Sequence, residues 1–419
     1  MRIRTIAMLG VMLAGVAVGA AAAERAATSG AYEQLSLYTE AARLIHDDYV
    51  DPLSWGRLVT LGVRGMVGAL DANSELLTAQ QNRELPATAD TAAGDIGVDL
   101  GRRDRAVTVM TAIDGMPAAA AGIQAGDVIL KIDGTDTAQM QPIDARDRLR
   151  GAPGSAVALT ILRNGEPQEV TVTRAQTPLV SVGDREVAPG MLYVRIRDLD
   201  RSSPDELRQR LATPSAEKAR GLVLDLRDSP GRDVQVAVDI AGILLGRGKM
   251  VAEVDGRTHG QAPASVLTSG DTDARGVPIA VLVDRGTVSA AEILAGALHD
   301  SGHAVIVGVK TAGDAAKQSL IPLSDGSVLR LTTARYLTPN GHAIDGVGIT
   351  PDVVVAMPPK TNAASAGAPT ATDPQLAVAI DIVKAASLLG PPKGAGTAST
   401  PSRATPGHAR TVPTDGRIG

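Results

Sequence analysis

Three short, continuous apolar runs constrain this chain more than any other feature. They are Gly221–Leu226 (GLVLDL), Ile279–Val283 (IAVLV) and Ala304–Val309 (AVIVGV). A strand that is apolar without alternation is buried on both faces. Helical stretches, Val234–Leu245 and Ala290–Leu298, follow the first two runs. Apolar strand followed by helix, repeated, predicts an α/β core with a largely parallel sheet covered on both sides. Sites in such sheets gather beyond the carboxyl ends of the strands. Hydrophobic residues are 44% of the 419, but there is no Phe, one Trp and five Tyr, so Ala, Val, Leu and Ile must fill the core.

The N-terminus has a different texture. Arg2 and Arg4 precede an apolar run of 15 residues, Ile6–Ala20, and Ala21–Ala23 fits a small-residue cleavage site. That pattern predicts a signal peptide over 1–23 and an exported, periplasmic or extracytoplasmic protein. An uncleaved anchor is the other reading of this run, although a membrane span needs about 20 residues. No later stretch is long enough to span. The absence of Cys rules out a disulfide scaffold and a lipid-anchored lipoprotein. A net charge of −5 offers no basic face for nucleic acid.

Residues 24–86 read as an N-terminal helical segment. Leu35, Tyr38, Ala42, Ile45 and Tyr49 recur at spacings of three and four, and Leu58–Leu70 is a second candidate helix. Pro86–Ala93 reads as a linker. From Gly94 the chain turns to short β-branched runs, with turn signals at Asp133-Gly134, Pro153-Gly154 and Asn164-Gly165. Pro117–Gly122 and Ile143–Leu149 suit short helices. This predicts a small mixed domain over 87–176. Within it, Ala121–Gly134 (AGIQAGDVILKIDG) resembles a PDZ domain. In that reading Gly94, Ile96, Gly97 and Val98 form a loop and groove. Their amides would hold a terminal carboxylate, and the adjoining strand edge would pair with an extended peptide. The main core then spans 177–360. A linker and final helix fill 361–389, with Asp373 as N-cap and Pro374 at the first helical position. Residues 390–419, rich in Pro, Gly, Ser and Thr, are expected to be disordered.

Two strand ends carry candidate chemistry. Asp225–Arg232 (DLRDSPGR) follows the first apolar run, and its turn amides could stabilise an oxyanion or simply make a strand-to-helix turn. Ser289-Ala290-Ala291-Glu292 follows the second. A serine there could be a nucleophile at the top of the sheet, but Ser-x-x-Glu is equally the pattern of a helix capping box. The residues alone leave both open.

From Tyr32 to Leu389 the chain resembles the carboxy-terminal processing, or tail-specific, proteases. The resemblance rests on Tyr49-Val50-Asp51-Pro52, the PDZ stretch, Gly221–Gly231 (similar to GLILDLRNNPGG) and Leu331–Asp352 (LTTARYLTPNGHAIDGVGITPD). It implies an exported serine endopeptidase with an inserted PDZ domain that cleaves proteins near unstructured C-terminal tails. With no clustered His/Cys set and no phosphate-binding glycine loop of the right spacing, neither metal nor cofactor is implied. The family's catalytic pair is serine and lysine. Ser289 takes the serine's place, with amides near Gly231 and Ala290 at the oxyanion. The family's T-F-G-K-G-x-V-Q run is here Thr311–Gln318 (TAGDAAKQ), so Asp314 stands at the lysine position while Gln318 is kept. Lys317 is the candidate substitute base. Asp300 matches an acidic residue of the family, and its simpler reading is a helix-end polar group. Arg232 replaces a glycine, and LDPHSSYL is degraded to Leu70–Leu77 (LDANSELL). These departures raise a second expectation, a catalytically silent relative that binds partners through its PDZ groove.

Overall fold

The computed structural model describes residues 34–71, 73–84, 94–176, 181–231, 233–257, 264–269, 276–357 and 373–389. The signal segment, the 86–93 linker and the 390–419 tail lie outside them.

The N-terminal part contains α1 (34–48), α2 (Trp55–Gly68), β1 (Glu75–Leu77) and α3 (Ala79–Glu84). Ser54 caps α2 by accepting the Arg57 amide hydrogen at 3.3 Å. The next part holds β2 (Val98–Arg103), β3 (Ala106–Ala112), α4 (Pro117–Ala120), β4 (Val128–Ile132), β5 (Thr135–Asp136), α5 (Pro142–Leu149), β6 (Ala156–Arg163) and β7 (Glu166–Thr173). These strands run β2-β3-β4-β6-β7, with β5 beside β4 and β2 at the edge. Asn164 (φ 53) and Gly165 (φ 84) turn the β6–β7 hairpin, as their positive φ requires.

The main core follows: β8 (Val182–Ala188), β9 (Met191–Ile196), α6 (Ser203–Leu211), α7 (Pro214–Glu217), β10 (Gly221–Asp225), α8 (Val234–Leu245), β11 (Met250–Gly256), β12 (Ala264–Leu267), β13 (Ile279–Val283), α9 (Ala290–Asp300), β14 (Ala304–Gly308), β15 (Ala316–Pro322), β16 (Val328–Leu337), β17 (Val353–Val354) and α10 (Pro374–Leu389). Its main sheet is ordered β17-β14-β13-β10-β9-β8. Every pair in it is parallel except β8–β9. The three apolar runs are β10, β13 and β14, side by side. Helices α6, α8 and α9 pack on one face, and Ala379 and Val383 of α10 pack on the other. The expected α/β core is therefore present. Asp373 caps α10 by accepting the Leu376 amide hydrogen at 3.0 Å.

A second sheet carries none of the signals that revealed the first. It is antiparallel, ordered β1-β16-β11-β12, with β15 also on β16. It draws β1 from the N-terminal part and so brings residues 73–77 against the core. Leu77, Ile143 and Val328 share one small apolar cluster at that junction.

Candidate active site

The DLR turn is first of all an ionic staple. Asp225 is buried at the carboxyl end of β10. It accepts from Tyr193 Oη at 2.7 Å, Arg195 Nη1 at 2.6 Å and Arg227 Nη2 at 2.5 Å. Burial works against the charge, but the two guanidiniums hold its carboxyl well below the usual range. Arg227 continues to Asp373 at 2.8 Å and Gln375 Oε1 at 3.0 Å, fastening α10 to the sheet.

The turn that enters α9 is braced from the same side. Asp284 Oδ1 accepts the amide hydrogens of Asp228 and Gly286, both at 2.9 Å. Thr287 Oγ1 donates to the Leu226 carbonyl at 2.8 Å. Gly286 leaves no room for a side chain, since a Cβ there would lie 2.4 Å from Asp228 Oδ1. Burial and then the Asp228 charge push the Asp284 carboxyl up to about 6.

Ser289 follows, half-buried, with φ 55 and ψ −115. A non-glycine residue in this region carries strain that only its surroundings can sustain, and such strain concentrates at functional turns. An ordinary N-cap serine has extended backbone with negative φ. Glu292 sustains the strained turn. It is fully buried and accepts four hydrogen bonds: from Ser289 N at 3.1 Å, Asp314 N at 2.8 Å, Gly313 N at 2.7 Å and Thr311 Oγ1 at 2.5 Å. Burial pushes its carboxyl up to about 7, while these donors favour the anion. Sequence reasoning saw Glu292 only as a capping-box partner. The Ser-x-x-Glu spacing was the available signal, but nothing local revealed that the same carboxylate also holds the 311–314 loop.

Glu292 makes positions 289 and 314 neighbours. Their amide nitrogens bond the same Oε2, so they lie less than about 6 Å apart. Asp314 borders a cavity of about 220 Å³ lined also by Asp71, Asn73, Arg103, Thr332 and Asp345. Asn73 Nδ2 donates to Asp314 Oδ1. Desolvation raises the Asp314 carboxyl to about 6, the Asn73 hydrogen bond opposes this, and Asp99 and Asp345 add to it. Asn73 belongs to the degraded LDANSELL stretch, and its reach of 241 positions along the chain was invisible in sequence.

Lys317 does not line this cavity. It is exposed on β15, as is Gln318, and a β-bulge between them breaks the alternation of faces. His299 and Asp300 sit at the far end of α9. Asp300 accepts the Asn340 amide hydrogen at 2.9 Å, and His299 lies against Asp300 and Asp352.

The two amides assigned to an oxyanion hole are arranged in a way the sequence did not suggest. The Ala290 N–H donates to the Gly231 carbonyl at 3.1 Å, and the Val288 N–H donates to Ser229 at 3.2 Å. The 229–231 loop therefore lies on the Ser289 turn like a paired strand. Contact this close needs glycine: a Cβ on Gly231 would lie 2.8 Å from the Cβ atoms of Ala290 and Leu199. The Ala290 amide, expected at an oxyanion, is thus occupied by the Gly231 carbonyl.

In the PDZ-like part, Ile96 and Val98 are buried at the start of β2, facing α5. The Gly97 N–H donates to Asp95 Oδ1 at 3.0 Å. Among the described residues no acidic or histidine group could hold a metal, and no helix is long and apolar enough to cross a membrane.

Comparison with known proteins agrees with this architecture. Peptidase family S41 matches residues 190–355, and a PDZ domain matches residues 108–163. A carboxy-terminal-processing protease of Bartonella bacilliformis is 33% identical over 334 residues, covering 78% of this chain and 76% of that protein. A carboxyl-terminal-processing protease of Synechocystis is 34% identical over 325 residues, covering 75% of each. Among solved structures, the photosystem II D1 C-terminal processing protease is similar with a TM-score of 0.64 and 29% identity, over 76% of this chain and 92% of that one.

Proposed function

Because the chain belongs to peptidase family S41, among its carboxy-terminal-processing proteases with a PDZ domain, we propose that it is an exported serine endopeptidase cleaving proteins near unstructured C-terminal tails. Ser289 attacks the scissile carbonyl. Asp314 takes the serine's proton in place of the family lysine. The amides of the Gly231 loop and Ala290 receive the oxyanion once the loop has turned. The PDZ groove at Gly94–Val98 captures the tail, and Gln318 on β15 borders the substrate path. The signal segment over 1–23 directs export.

The observation that carries this reading is the strained turn at Ser289, held at φ 55 by a buried four-bonded carboxylate. A residue needed only as a helix cap would relax to negative φ at no cost to packing. A carboxyl raised to about 6 is a stronger proton acceptor than an ordinary aspartate, and it is ionised at neutral pH.

A specific observation favours a second reading, a silent PDZ scaffold. The Ala290 amide is engaged by Gly231, and an aspartate stands where the family has lysine. Cleavage of a purified unstructured protein separates the two. Wild type is expected to cleave it slowly, and Ser289→Ala to lose all detectable cleavage. Inactive wild type, at every substrate and enzyme concentration, favours the scaffold. If Lys317→Ala abolishes activity in a folded protein, the base is Lys317 and not Asp314.

A further inference from the structure

The PDZ groove holds a carboxylate of its own. The loop before β2 is Gly94-Asp95-Ile96-Gly97; Gly94 and Asp95 bridge to Gly151 and Ala175 through both amide and carbonyl, while the carbonyls of Ile96 and Gly97 are taken from within the domain. Ile96 O accepts the Ala118 amide hydrogen at 2.8 Å, and Gly97 O accepts that of Ile113 at 2.9 Å. With the Gly94 and Asp95 amides engaged, contrary to the expectation for Gly94, capture of a terminal carboxylate falls to the amides from Ile96 onward. Here Asp95 Oδ1 accepts the Gly97 N–H at 3.0 Å. The other Asp95 oxygen lies 3.4 Å from Arg150 Nε, at the end of α5. Further along the groove Arg146 of α5 reaches Asp99 of β2 at 3.3 Å. Two arginines of the groove helix thus cross to two aspartates of the loop and edge strand. Ile96 and Leu149 belong to the buried apolar core of this part, at 0% and 1% exposure.

We propose that Asp95 is an internal stand-in for the ligand's terminal carboxylate, occupying the Gly97 amide and Arg150 until a tail displaces it. The inference rests on the reading of this groove as the tail-capture site. The ligand is an extended peptide with a free carboxylate. It pairs along the edge of β2 and takes over the Gly97 N–H and Arg150. Asp95 swings to solvent, which its partial exposure allows (35% for the side chain). The consequence is selectivity. A second carboxylate cannot bind beside Asp95 without like-charge repulsion, so binding requires an exchange that weakens capture of every tail.

The test is equilibrium binding to the full chain carrying Ser289→Ala, which prevents cleavage. The probe is a fluorescent pool of decapeptides whose last three positions vary among Ala, Val and Leu, made with free and with amidated C-termini. Asp95→Ala is expected to bind the free-carboxylate pool about tenfold more tightly than the parent and the amidated pool equally well. Asp95→Asn keeps an acceptor for Gly97 N–H but loses the charge, and should fall between. Adding Arg150→Gln to Asp95→Ala should remove the gain. A merely structural role for Asp95 would weaken both pools alike. The proposal is overturned if the parent prefers free over amidated ends but neither Asp95 variant increases that preference. If no protein distinguishes free from amidated ends, the tail-capture reading itself fails and takes this inference with it.

Discussion

Asp314→Lys is expected to raise peptidase activity by about 10²-fold, the usual contribution of a well-placed general base. Position 314 lies beside the Ser289 turn because one oxygen of Glu292 binds both amides. Burial there pushes a carboxyl up to about 6, and the same desolvation pushes an ammonium down, which makes a lysine available as a base near neutral pH. Asp99 and Asp345 oppose this for a cation, so the gain should grow toward alkaline pH. The two proteins should also differ in pH profile. With Asp314 as the proposed base, the working form of wild type is its carboxylate, so the rate should fall about tenfold per unit below pH 6. In the lysine variant the working form is the neutral amine, and the rate should climb through the region where wild type is flat. The sign for stability is opposite. A carboxyl raised in the folded state favours folding least when ionised, so its contribution falls as pH rises from about 4 to about 6. Initial rates on an unstructured protein between pH 5 and 9 check the pair. A lysine variant no faster than wild type at any pH would show that the base position is not what limits this chain.

Glu292→Ala should be the most damaging single change in the site. It leaves three backbone amides and a threonine hydroxyl without an acceptor in a fully buried place. We expect about 4 kcal/mol of lost stability and a fall in Tm of about 10 °C. Ser289 would relax from φ 55, and the 311–314 loop would part from the nucleophile turn. Activity should therefore vanish even at temperatures where the variant stays folded. Glu292→Gln keeps one acceptor oxygen but turns an NH₂ toward the donors, and should lose about half as much. Thermal melts and rates measured together test this. A Glu292→Ala protein within about 1 °C of wild type, or one with full activity, would mean the carboxylate is not the hub of the site.

What could be read in advance follows the range of the interactions. The apolar runs at β10, β13 and β14 announced the parallel sheet because burial on both faces leaves a local mark on composition. The Asn164-Gly165 turn and the Asp373–Pro374 start of α10 were legible for the same reason, as each is set by neighbouring residues. The antiparallel sheet of β1, β11, β12, β15 and β16 was not, since its pairing joins segments as distant as Glu75 and Arg330. The same limit applied at the site. Ser289 and Asp314 could be named from motifs, but Asn73 on Asp314 and the four-way role of Glu292 depend on the folded chain. The engaged Ala290 amide is a matter of which way one carbonyl points, and sequence does not encode that at single-residue range.

In the proposed mechanism Ser289 is a nucleophile held ready by its turn. Intact-protein mass spectrometry after incubation with a fluorophosphonate probe tests it most directly. One covalent adduct is expected on wild type, mapped to Ser289 by digestion, formed faster in Asp314→Lys and absent in Ser289→Ala. An unmodified wild type after exhaustive incubation, or an adduct that persists in Ser289→Ala, would contradict it.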